Sequence, residues 1–169
     1  KRCLPAVLLL AAAGLSRAAG FDSDFDEEKK AWKEIEARIP AYPKPENLIP
    51  FYVSPTARHQ YMVDSASLSV GEDGVVRYTL VLKTEGGAVN VSYEGIRCAT
   101  RERRLYAFGR PDNNWSRARN ASWERIEKAE QSQHQLMLHS DFFCPDYEII
   151  RTPQEGVEAL RAGRHRRAK

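Results

Sequence analysis

The chain has 169 residues and a formal net charge of +3, from 26 Lys plus Arg against 23 Asp plus Glu. That length suits one domain with a core of its own. Lys1, Arg2 and Arg17 carry the whole +3, so residues 21–169 are formally neutral, which argues against a nucleic-acid binder.

Residues 1–20 come first. A basic start, Lys1-Arg2, is followed by an apolar stretch from Cys3 to Leu15 and by the small residues Ser16, Ala18, Ala19 and Gly20. This is the order of a secretory signal, with cleavage expected after Ala18 or Gly20. The apolar run is shorter than the roughly 20 residues that span a bilayer, and no later segment resembles a stop-transfer helix. An uncleaved N-terminal anchor is the alternative. Cys3 precedes the apolar core, whereas a lipoprotein signal needs its cysteine at the end of that core. Export would bring Cys98 and Cys144 into an oxidising compartment, where a disulfide persists. Pairing them closes a loop of about 46 residues, stabilising by about 3–4 kcal/mol on the chain-entropy model.

Residues 21–50 read as an N-terminal helix and a proline-rich strap. Trp32, Ile35 and Ile39 share one face of a helix over 22–38, with acidic residues at its start and Pro40 at its end. Pro40, Pro43, Pro45 and Pro50 then impose an extended stretch. Together they suggest a clamp laid across a sheet; a flexible lead-in is the plainer alternative.

Residues 51–160 read as one α+β domain. Strands are expected over 60–70, 75–84 and 88–97, joined at Asp73-Gly74 and Gly86-Gly87, where positive φ is tolerated. Val76, Tyr78, Leu80 and Leu82 alternate with Arg77, Thr79 and Lys83, so one face is expected to be buried. Val89, Val91 and Tyr93 read as a continuation of it. Ile96 and Cys98 are apolar on the opposite parity, which a bulge at Gly95 would explain. A fourth strand is expected over 105–109, and a helix rather than a strand over 132–143, with Leu136 and Phe143 inward. Thr152-Pro153-Gln154-Glu155 is a capping box with proline at the first helical position, and Gly163 ends that helix. The sum is an antiparallel meander of four to five strands with flanking helices and one disulfide. Residues 161–169 read as a basic disordered tail.

Sequence motifs for catalysis are weak. There is no nucleophile elbow and no phosphate loop. His134, His139, Asp141 and Cys144 lie within eleven residues and are competent zinc ligands. However, a five-residue spacing does not put both histidines on one helix face, and Cys144 serves better in a disulfide. No cofactor is expected, and the metal site stays an alternative. A basic and aromatic surface is the stronger candidate: Arg97, Arg101, Arg103, Arg104, Tyr106 and Trp115, with Arg117, Arg119 and Trp123 nearby. Arginine suits bidentate contact with carboxylates and phosphates. RNA is disfavoured, because the strand at Tyr106 lacks the aromatic signature of an RNA-recognition sheet. The plainer alternative is that the tryptophans belong to the core and the arginines pair with Glu94, Glu102, Glu124 and Glu127. The triplets at Asn90, Asn114 and Asn120 match a glycosylation acceptor and are taken as incidental.

Ser92-Tyr93-Glu94-Gly95-Ile96-Arg97-Cys98, Leu105-Tyr106-Ala107-Phe108-Gly109, Trp115, Trp123 and Phe142-Phe143-Cys144-Pro145 occur in that order. The pattern resembles the cryptic neisserial protein-like family, small exported proteins of beta-proteobacteria, over about residues 30–147. The resemblance implies a Gram-negative periplasmic setting and carries no assigned activity. The expectation is a periplasmic, non-enzymatic binding module for an envelope protein or an anionic glycan or lipid. An envelope-acting enzyme using His134, His139 and Asp141 is the alternative.

Overall fold

The computed structural model describes residues 31–168. The signal-like segment and the first part of the expected N-terminal helix lie outside them. The core of the domain is one antiparallel sheet: β1 (Leu48–Phe51), β2 (Gln60–Val70), β3 (Val75–Lys83), β4 (Val89–Arg97), β5 (Glu102–Gly109), β6 (Trp115–Arg117) and β7 (Glu124–Arg125). The order is β1-β2-β3-β4-β5-β6, and β7 pairs with β5 beside β6. The sheet therefore has seven strands rather than four or five. The extra ones are short and lie at the margins. β1 arises inside the proline stretch, and an edge position tolerates Pro50, which has no N–H to donate.

Strong alternation and turn chemistry fix the middle of the sheet. Gly74 and Gly87 take φ of 75° and 85° at the two hairpin turns. Beyond it, α1 (Gln133–Met137) runs into a π-helical turn, Leu138–Phe143, and α2 (Pro153–Ala162) ends the helical layer. The Thr152 side chain accepts from the Glu155 amide at 3.2 Å, and Gly163 ends α2 at φ 79°.

Both faces of the sheet are covered. Val63, Val76, Tyr78, Leu80 and Ile96 meet Leu138, Phe142, Phe143, Ile150 and Leu160 of the helical layer in one apolar core. Cys98–Cys144 joins the end of β4 to that layer, with Cα atoms 5.3 Å apart. On the opposite face lie Val75, Arg77, Thr79 and Val81, cross-strand from Arg97, Gly95, Tyr93 and Val91. Val91 and Tyr93 thus belong to this second face and not to the face of Tyr78. The change of parity at Ile96 needs no bulge at Gly95, because β4 is buried on both sides. The register shift falls between Tyr93 and Glu94, and the extra residue is Tyr106 of β5. Gly95 is needed instead for close approach: a Cβ there would stand 2.7 Å from the Tyr106 hydroxyl and 3.1 Å from Val75.

Two expectations at the ends are corrected. Residues 31–44 are extended and not helical. Their polar groups go to the sheet instead: the Ile35 amide donates to Asp73 Oδ2 at 2.9 Å, and the Ile35 carbonyl accepts from Arg77 Nη2 at 2.9 Å. The basic tail is docked through Ala168 rather than disordered. The buried His165 donates its amide to the Asp141 carbonyl at 2.7 Å, and Arg167 pairs with Glu148 at 2.6 Å.

Candidate functional site

The strap over residues 32–43 crosses the second face, which is basic and aromatic. Its centre is Glu34. One carboxylate oxygen accepts from the Tyr106 hydroxyl at 2.6 Å and stands 3.6 Å from the Arg77 guanidinium. The other accepts from Arg104 and, at 3.1 Å, from the Trp123 indole N–H. Two arginines, a phenol and an indole thus hold a single carboxylate. Burial first, then the Glu34 hydrogen bond, keep the Tyr106 phenol protonated far above its ordinary range.

The rest of the strap is held by tryptophan and tyrosine. Trp32 donates its indole N–H to the Asp73 carbonyl at 2.7 Å and packs edge-on against Trp123. The Arg97 guanidinium lies 3.8 Å above the Trp32 ring, a cation–π distance. Trp115 donates to the Pro40 carbonyl at 3.0 Å, and its ring meets Tyr42. Asp73 anchors Arg77 at 2.6 Å. Burial alone would raise the Asp73 carboxyl. Hydrogen bonds from Arg77 and from the Ile35 and Val75 amides outweigh it and hold the group below the usual carboxylate range. Beside the strap a cleft of about 280 Å³ opens between Glu34, Glu36, Ile39, Arg104, Tyr106 and Arg117. Among the described residues neither Arg117 nor Glu36 makes an ion pair, so the cleft keeps one unpaired charge of each sign.

The structure divides the predicted binding surface. Arg97, Arg104, Tyr106 and Trp115 meet at the strap. Arg103 lies on the other face of the sheet, cross-strand from Ile96, and pairs with Glu124 at 3.0 Å, one of the expected acidic partners. Arg97 has another, Glu102, at 3.6 Å. Arg101 sits apart, at the β4–β5 turn. Glu34 and Asp73 were not foreseen as partners. An excess of arginine on a buried strand face was the available signal that acidic groups must come from elsewhere.

The metal alternative receives no cluster: among the described residues, no three His, Cys, Asp or Glu are placed to hold an ion. His134 stacks on Tyr61, with ring centroids 4.9 Å apart, while His139 reaches the Cys98 carbonyl at 3.2 Å. Burial lowers the pKa of both imidazoles below the ordinary histidine value. Glu94 is buried within the core face, accepting from Tyr78 at 3.1 Å, Ser92 at 2.6 Å and Gln135 at 3.3 Å. Its place in an apolar β-strand hid this network from a sequence reading. Cys98 and Cys144 are paired as expected.

The model of the CNP1-like family matches residues 27–161, from before the strap to the end of α2. The chain belongs to the CNP1-like family. The match covers the sheet, the disulfide and all six residues of the predicted surface. No curated protein and no solved structure matches the chain. Among the described residues, no helix of this CNP1-like chain is long and apolar enough to cross a membrane.

Proposed function

We propose that this member of the CNP1-like family is an exported, non-enzymatic interaction module of the Gram-negative periplasm, and that it binds an acidic segment of an envelope protein. The observation that carries the reading is the grip on Glu34. A sheet face that seats the strap by one glutamate, held through two arginines, a phenol and an indole, has the chemistry to seat a carboxylate-bearing segment of a partner. Charge-assisted hydrogen bonds supply the affinity, and the fixed fork of arginine supplies direction. The partner would enter at the cleft beside the strap, where Arg117 awaits an acidic group. The signal-like residues 1–20 and the disulfide support the exported setting. An enzyme built on His134, His139 and Asp141 is the second reading, and the separate surroundings of the two histidines count against it.

Crosslinking of the tagged protein in its own envelope, followed by mass spectrometry, tests this. The expected result is one reproducible partner that is lost when Arg117 and Arg119 are both changed to Glu, and enriched when Glu34→Ala loosens the strap. If the charge-reversed variant captures the same proteins as the natural chain, the cleft is not the binding surface.

A further inference from the structure

A second pocket, of about 370 Å³, shares no lining residue with the strap cleft. Its walls are the β4–β5 turn and the chain reversal at Cys144–Tyr147, and the disulfide joins them. Three independent features mark it. The first is backbone conformation. Four non-glycine residues among those described have positive φ, and three line this pocket: Arg101 at 53°, Asp146 at 54° and Tyr147 at 65°. Such geometry is costly for side chains other than Asn and Asp, and it gathers at sites that need it.

The second feature is the floor, a π-helical turn over Leu138–Phe143 that supplies His139 and Asp141. Turns of this kind concentrate at functional sites. The third is charge. Arg101 and Lys128 make no ion pair among the described residues, and Arg101 Nε is shut away from solvent without a hydrogen-bond partner. A stability role leaves that arginine unexplained, because its backbone is strained and its buried nitrogen is unused. His139 adds no charge: burial, and then Arg101, push its imidazole toward the neutral form, and its Nε2–H donates to the Cys98 carbonyl. Asp141 already faces Arg164 at 3.9 Å.

We propose that this pocket binds a small monocarboxylate with an apolar body. The Arg101 guanidinium and the Lys128 ammonium take the carboxylate, while Leu136 and the Tyr147 ring flank the rest. A planar carboxylate matches the guanidinium fork. A phosphate dianion would bring a second negative charge toward Asp141 and Asp146. The volume lies in the range of small-ligand sites.

Titration of the 15N-labelled protein at fixed ionic strength, with sodium benzoate and separately with inorganic phosphate, tests the proposal. Benzoate is expected to give saturable shifts at the Arg101, Ser140 and Tyr147 amides, at lower concentration than phosphate. Arg101→Gln should weaken benzoate by about tenfold or more, the loss of a charged hydrogen-bond donor, and Lys128→Gln by less. Arg101→Gly is the separating variant: it removes the ligand group and also relieves the positive φ. It should abolish binding without lowering the melting temperature. Failure of benzoate to saturate, unchanged affinity in Arg101→Gln, tighter binding of phosphate, or a marked drop in melting temperature for Arg101→Gly would each overturn the assignment.

Discussion

The two faces of the sheet are closed by different chemistry. On the helical side, Phe142, Phe143, Ile150 and Leu160 fill the space over Tyr78 and Ile96, and a disulfide fixes the contact. On the strap side a single extended segment is held by point contacts: one strap carboxylate, two strap carbonyls, three indoles and three guanidinium groups. Apolar burial is non-directional and scales with area. Charged hydrogen bonds depend on geometry and on each partner being present. The first face is suited to stability, and the second to exchange for another ligand.

The largest break should come from the helical side. Phe143→Ala empties a fully buried position beside Tyr78 and is expected to cost about 3–5 kcal/mol in chemical denaturation. Cys98→Ser and Cys144→Ser should each cost about 3–4 kcal/mol, equally in the two variants, and a reductant should lower the natural chain toward both. Unequal effects would mean that the cross-link is not the main contribution of these residues.

Between the faces stands Gly95. A methyl group there meets Tyr106 and Val75, so Gly95→Ala is expected to cost about 1–3 kcal/mol by overpacking. It should also disturb the hydroxyl that Glu34 accepts from, visible as a change in Trp123 fluorescence.

Acid should separate the faces without any mutation. The folded Asp73 carboxyl is held below its ordinary range, so its stabilising contribution is present above the unfolded value of about 4. It is lost as pH falls through the lower folded value. The strap is therefore expected to loosen from about pH 4 downward, reported by Trp32 and Trp123 emission, before the helical side unfolds by far-ultraviolet dichroism. Simultaneous loss would show one cooperative unit. The smallest effect belongs to Arg103→Gln, whose exposed pair with Glu124 should be worth under about 0.5 kcal/mol in a denaturation measurement.

The amino-acid sequence by itself determined the elements whose information is local. Alternation from Val76 to Leu82, the glycines at positions 74 and 87, and the capping box at Thr152 place β2, β3, β4 and α2 within a residue or two. The two cysteines outside the signal-like residues likewise sufficed to pair Cys98 with Cys144. What only the tertiary structure decided depends on partners distant in sequence. Trp32 and Ile35 have helical spacing, yet the strap is extended because Asp73 and Arg77 bind its backbone. Val91 and Tyr93 read as one face with Tyr78, yet cross-strand register places them on the other. The arginines looked like an open surface until Glu34, some 70 residues before Arg104, came to rest among them. Periodicity reports that a side chain is buried, and only packing reports what it is buried against.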